Sequence, residues 1–378
     1  YIARNGPATQ QERWEEESGY SPSSIASEIA GLVCAGKLAL EADEAADALV
    51  WLALADRWTN EVERWTATTT GTGRHENTPY YVRVTRDGDP DAGYERTLAN
   101  GGPTLDERNV IDGGFLELVR LGIKPADDPV IRNSLAEVDD TLRVDLPGGP
   151  AFYRYNGDGY GERERGDQGG PWTAREFGKG RLWPLLTGER GEYELLHDGT
   201  GSEAEGGRED DARSPRALLR TMQRFANSGR MLAEQVWDRE YGTEYGWRLG
   251  EGTGAATPLT WAMAQYVRLA HGIDAGEPVE TPAFVRERYL ERGVHERERS
   301  PALRVDTRFR GDHIVFSGKT TGALVAMKTP VESAVVEPED GEFERELEMA
   351  YGENTVVVAA ASERDLERAS TTVRRFTL

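Results

Sequence analysis

Through roughly the first 270 positions, apolar residues recur at three- and four-residue spacing, the period of helices that bury one face. After Pro22, residues Ile25, Ile29, Leu32 and Val33 share one side of a helix. Ala46, Val50, Leu54, Trp58 and Val62 form a second stripe, and Val110, Ile111, Leu118 and Leu121 are read as a third. Five capping residues precede proline ahead of such patterns: Ser21-Pro22, Asp128-Pro129, Ser214-Pro215, Thr257-Pro258 and Thr281-Pro282. Proline at the first helical position gives up only an amide hydrogen that has no partner there, so each pair predicts a helix start. Beyond Arg310 the period drops to two: Glu342, Glu344, Glu346 and Glu348 alternate with Phe343, Arg345, Leu347 and Met349. Turn signals at Ser317-Gly318, Asp340-Gly341 and Gly352-Glu353-Asn354 separate short apolar runs and predict a small antiparallel sandwich. The expected organisation is a mainly α part over residues 1–290, a charged linker over 291–310 and a β-sandwich over 311–378.

Composition narrows the partners. With 67 acidic and 45 basic side chains the formal net charge is -22, which disfavours a phosphate backbone, so nucleic acid is not expected. Lysine supplies only Lys37, Lys124, Lys179, Lys319 and Lys328, and an acidic, arginine-dominated chain fits a halophilic setting in which salt screens surface repulsion. The single Cys34 sits in an apolar pattern and has no internal partner for a disulfide. No apolar run reads as a membrane span and no leader precedes Tyr1, so no membrane partner is expected; upstream sequence, with any targeting signal, is expected to be missing.

The five histidines are scattered and form no zinc pattern, and neither a GxSxG elbow nor a phosphate-cradling GxxxxGK[ST] occurs. Carboxylates and aromatics remain. In QERWEEESGYSPSS, three consecutive glutamates follow Trp14, which reads either as a solvated face or helix entrance or as chemistry. Paired carboxylates beside tryptophan and tyrosine suit glycoside hydrolysis, one carboxyl protonating the leaving oxygen while the other activates water. Two long loops, Tyr153 to Trp172 and Gln235 to Gly254, carry glycine, aromatics and charge and are read as functional.

The order of the motifs is more specific than their composition. WEE at Trp14 to Glu16, RYNGDGYGE at Arg154 to Glu162, PW at Pro171 and Trp172, KGRLWPLLTGERGEYEL from Lys179, LAEQVWD from Leu232 and TPLTWAMAQYVRL from Thr257 together resemble glycoside hydrolase family fifteen, the glucoamylase and glucodextranase family. The resemblance spans nearly all of residues 1–290, and the terminal sandwich resembles the immunoglobulin-like domain of glucodextranases. It implies part of an (α/α)6 toroid barrel and an inverting exo-α-glucosidase acting on α-glucans. Glu15 would be the general acid and Glu234 the general base, with Glu16, Arg154, Trp14, Trp172 and Trp261 binding substrate. Neighbouring carboxylates would raise the pKa of Glu15. The family's general acid lies about halfway along its barrel, so an amino-terminal half, including an arginine-aspartate pair that grips the terminal glucose, is expected upstream of Tyr1. Trehalase activity, α-1,4 or α-1,6 preference and a binding or assembly role stay open. Such hydrolysis requires no cofactor, although relatives can hold structural calcium, and the family favours an extracellular setting.

Overall fold

The computed structural model describes residues 1–73, 79–161, 180–198, 213–240, 243, 245–294, 301–362 and 369–377. A single turn, α1 (Ile2–Asn5), leads through a long loop to α2 (Pro22–Glu41) and α3 (Ala45–Thr66), two helices packed on each other. Their apolar stripes account for the pairing: Ile25, Ile29, Leu32 and Val33 are buried on α2, and Val50, Leu54, Trp58 and Val62 on α3. By length and composition α2 could also cross a bilayer, contrary to the reading that no run suffices; half of it is buried within this fold, as in a core helix.

Between α3 and the next helices lie two short ladders, β1 (Ala67–Thr68) with β2 (Tyr80–Tyr81) and β3 (Glu95–Thr97) with β4 (Thr104–Asp106). Helices α4 (Leu116–Arg120) and α5 (Pro129–Thr141) follow, then the hairpin β5 (Arg143–Leu146) and β6 (Gly149–Phe152). Helix α6 (Pro184–Asp198) packs against both α7 (Pro215–Phe225) and α8 (Thr260–Ala275), and α9 (Ala283–Arg286) runs into a π turn at Glu287–Glu291. These helices and the sandwich beyond them form the partial toroid and β-domain expected from the sequence.

Three of the five capping pairs begin helices as predicted. Asp128 accepts the amides of Val130 and Ile131, Ser214 accepts that of Ala217, and Ser21 supplies an extended N-cap backbone. Thr257-Pro258 ends two residues short of α8, and Thr281-Pro282 makes Pro282 itself the cap of α9. Val110 and Ile111 are buried but extended rather than helical, because Asp106 and Asp112 hold the flanking backbone in single 3-10 turns by accepting the amides of Arg108 and Gly114.

Among the described residues, seven antiparallel strands form the sandwich: β7 (Leu303–Arg310), β8 (His313–Thr320), β9 (Leu324–Lys328), β10 (Ser333–Val336), β11 (Glu342–Glu348), β12 (Glu353–Ala361) and β13 (Ala369–Thr377). One sheet has the order β10-β9-β12-β13 and the other β11-β8-β7. The second half of the expected 291–310 linker is therefore strand: in LRVDTRFR, Leu303, Val305, Thr307 and Phe309 alternate with charged residues and pair in register with β8. Ser317-Gly318 is likewise not a turn. Gly318 lies inside β8, where a Cβ would meet the Arg304 carbonyl oxygen at 1.9 Å, so glycine there allows close strand approach.

Strand β12 is buried on both faces. Val356, Val358 and Ala360 join Phe316 and Leu347 in the sandwich core, while Val357, Ala359 and Ala361 join the core of the helical part against α3. An uninterrupted apolar run, rather than alternation, is what such a strand requires. Lys328 pairs with Asp47 at 2.7 Å at the edge of this contact. Nearby, Arg288 grips buried Asp56 of α3 through bonds of 2.8 and 2.6 Å, which ties the chain beyond α9 to the helices.

Candidate active site

The loop between α1 and α2 is drawn closed at its base by reciprocal amide bonds between Thr9 and Gly19, at 2.9 and 3.0 Å. Within it, Glu12 accepts the amide of Trp14 on its side chain, and its carbonyl accepts the amide of Glu15 at 2.8 Å. This tight turn leaves Glu15 in the left-handed region with φ 60. For a residue with a Cβ that conformation costs on the order of 1 kcal/mol and persists only where the surroundings hold it. Its side chain is exposed, whereas Glu12 is buried and Glu16 and Glu17 are partly so. Of the three adjacent glutamates, one is exposed and two are partly buried.

Glu16 is saturated by donors from distant parts of the chain. Its Oε1 accepts from Asn100 and Arg154, both at 2.8 Å, and its Oε2 from Arg83 at 2.8 Å and from the Tyr155 hydroxyl. Two oxygens with two lone pairs each are then fully used by protein. Glu17 is paired with Arg96 at 2.5 Å. The neighbours expected to make Glu15 an acid by repulsion are therefore matched by arginines. Glu12 shares Arg83 with Glu16, bonded at 2.7 Å, yet its carboxyl stands above the usual range because burial outweighs the arginine's pull. Burial opposes the charge of Arg154, but its hydrogen bonds to Asp158, both 2.7 Å, and the charges of Asp158 and Glu16 hold it firmly protonated. Arg154 is thus a buried cation in a bidentate pair with Asp158 rather than a surface ion pair.

Aromatic rings line the side of this network. Trp14 is buried, donates its indole N–H to Asp112 at 2.6 Å, and lies 5.3 Å from Trp183 and 5.6 Å from Trp261 between ring centroids. The Arg154 guanidinium lies 5.1 Å from Trp14, 4.8 Å from Tyr160 and 5.3 Å from Trp183. Trp261, in the first turn of α8, is the exposed member, whereas Trp58 and Trp65 are buried in the core. Trp172 lies outside the described residues.

Glu234 reaches the same neighbourhood through its backbone. Its amide bonds the Ala256 carbonyl at 2.9 Å, Leu232 pairs with Leu259 just before Trp261, and Val236 pairs with Leu182 just before Trp183. The segment carrying Glu234 is thereby strung between the two tryptophans that pack on Trp14. Glu234 is partly exposed, and the Gln235 side-chain amide donates to its Oε1 at 3.1 Å. It lies in a loop well beyond α7, which ends at Phe225.

The profile of glycosyl hydrolases family 15 matches residues 1–271. The chain belongs to that family. Among its relatives, a glucoamylase from Clostridium sp. (strain G0005) is 41% identical over 290 residues, 77% of this chain and 37% of the relative. The crystal structure of a bacterial glucoamylase complexed with acarbose aligns with a TM-score of 0.66 at 40% identity, over 76% of this chain and 38% of that one. This family 15 chain thus spans well under half the length of the relatives it matches. The fold of the aligned part agrees with that structure.

Motif reading missed Glu12, Arg83, Asp112, Trp183 and Glu189. Trp183 and Glu189 stand inside a motif that was recognised, and Asp112 precedes two glycines as a turn cap would. Arg83 had no local signal, since its partners are 67 and 71 positions away. As for structural calcium, no group of three or more histidine, cysteine or acidic side chains is placed to hold a metal among the described residues.

Proposed function

We propose that this chain carries the acid and base of an inverting exo-acting α-glucosidase that releases β-glucose from non-reducing ends of α-glucans, cleaving α-1,4 or α-1,6 bonds. The observation that carries the reading is the asymmetry of the WEE loop: Glu16 is consumed by four protein donors, while Glu15 beside it projects outward from a constrained backbone. Glu15 donates the proton to the departing oxygen. Glu234, oriented by Gln235, takes a proton from the attacking water on the opposite face of the sugar. Trp14, Trp261 and Trp172 offer ring faces to glucose units, Arg154 offers N–H donors to hydroxyls, and Glu16 holds Arg154 in place. Inversion needs room for that water, so the two carboxyls should lie roughly 6.5 to 9.5 Å apart, whereas about 5 Å would indicate retention.

A second reading, a sugar-binding or assembly module or inactive remnant that needs an amino-terminal half-barrel, is favoured by the apolar surface around α8. Met231, Trp261 and Val267 are exposed apolar side chains on or near α8 that further helices would cover. Incubation with maltooligosaccharides and isomaltooligosaccharides in molar salt, with the released anomer followed by NMR, separates the readings. β-Glucose that disappears in both Glu15→Gln and Glu234→Gln supports the glucosidase. Sugar binding without release in a folded, monodisperse sample overturns it in favour of the module.

A further inference from the structure

Arg13, the residue before Trp14, is unlike the other arginines of the site because it touches none of the WEE carboxylates. Its side chain is buried and makes one hydrogen bond, from Nη2 to Glu189 of α6 at 2.7 Å, with both side chains under a tenth exposed. Its other buried nitrogens, Nε and Nη1, have no hydrogen-bond partner. What the cation has instead is aromatic surface: the guanidinium carbon lies 4.5 Å from the centre of Trp14 and 5.4 Å from that of Trp261. Those indoles come from separate elements, the WEE loop and the start of α8, and are tilted by 40° to each other. A planar cation packed against both rings where they meet restrains their relative orientation in a way that a point charge does not. Glu189 keeps the cation there, since a buried guanidinium without its counter-ion would be driven out or would destabilise the fold.

We propose that Arg13, clamped by Glu189, is a positioning residue that sets the angle between Trp14 and Trp261 and thereby the aromatic surface on which a sugar ring rests. This rests on the glucosidase reading for its substrate, but not for its geometry. The role is to hold the wall rather than to act on the bond, so it enters substrate binding more than turnover.

The test compares the intact protein with Arg13→Lys, which keeps the charge and removes the planar fork, and with the double variant Arg13→Met/Glu189→Met, which removes both charges and leaves none unpaired. Two measurements are made: steady-state glucose release from a maltooligosaccharide, and the exciton couplet of the packed indoles in circular dichroism, assigned with Trp261→Phe. The expected result is a KM raised about tenfold with kcat within about twofold of the parent, together with a diminished couplet in both variants. An unchanged couplet in either folded variant overturns the proposal. So does a fall in kcat alone that tracks a lower melting temperature, because that is the signature of a merely structural pair. A parent that releases no glucose would sink the glucosidase reading, and the couplet would still decide the role of Arg13.

Discussion

Two stretches of this chain are dense in glutamate and read alike, and the fold treats them in opposite ways. In strand β11, Glu344 and Glu346 point outward and meet Arg308 and Arg310 across the sheet at 3.1 and 2.9 Å, with both side chains of the Glu344 pair more than half exposed. In the WEE loop, Glu12, Glu16 and Glu17 are drawn inward and joined to Arg83, Arg154 and Arg96. A charge run is thus a solvated face or a site depending on whether the rest of the chain delivers cations to it. The loop also leaves one member out, and the unmatched one, Glu15, is the candidate acid.

The largest effect expected from this contrast is chemical. Glu15→Gln should lower glucose release by about 10²- to 10⁴-fold with an unchanged melting temperature, since it removes proton donation and no partner; loss of fold instead would show Glu15 to be structural. Next comes Arg83→Leu, which leaves buried Glu12 without its arginine and takes one of four donors from Glu16, and should cost about 3–5 kcal/mol in denaturant unfolding. A cost under about 1 kcal/mol would mean that these carboxyls are less committed than the geometry indicates.

An intermediate case is Glu192 of α6, bonded to Arg268 at 2.8 Å. Burial raises its carboxyl to about 7 despite that arginine. The folded pKa exceeds the unfolded value of roughly 4.3, so the folded state binds the proton more tightly. The stabilisation is complete below about pH 4 and is lost as pH rises through 7, a fall of roughly 3 kcal/mol that Glu192→Gln should abolish in unfolding curves measured across that range. The smallest effect belongs to the strand. Glu344→Ala should change stability by less than about 1 kcal/mol, and molar salt should erase the difference.

Local periodicity carried much of the fold. The stripes of α2 and α3, the Asp128 and Ser214 caps and the alternation of β11 depend on neighbours within one or two turns, and all were legible. Val110 and Ile111 were not, because spacing cannot register the side-chain caps that stop a helix between them and Leu118. For the site, the family motifs singled out Glu15, Glu16, Arg154 and Glu234. The pairing of Glu16 with Arg154 across 138 positions, and of Arg13 with Glu189 across 176, belongs to the tertiary arrangement and leaves no mark in local spacing.

Strand β12 carries a practical consequence. Val356 to Ala361 holds no charge over six residues, and both of its faces are covered, one by the sandwich and one by α3. Cutting the chain between the helices and the sandwich would bare a stretch with the composition of an amyloid-forming segment. Separate expression of either part should therefore lower its solubility, because each would present a bare apolar face to solvent.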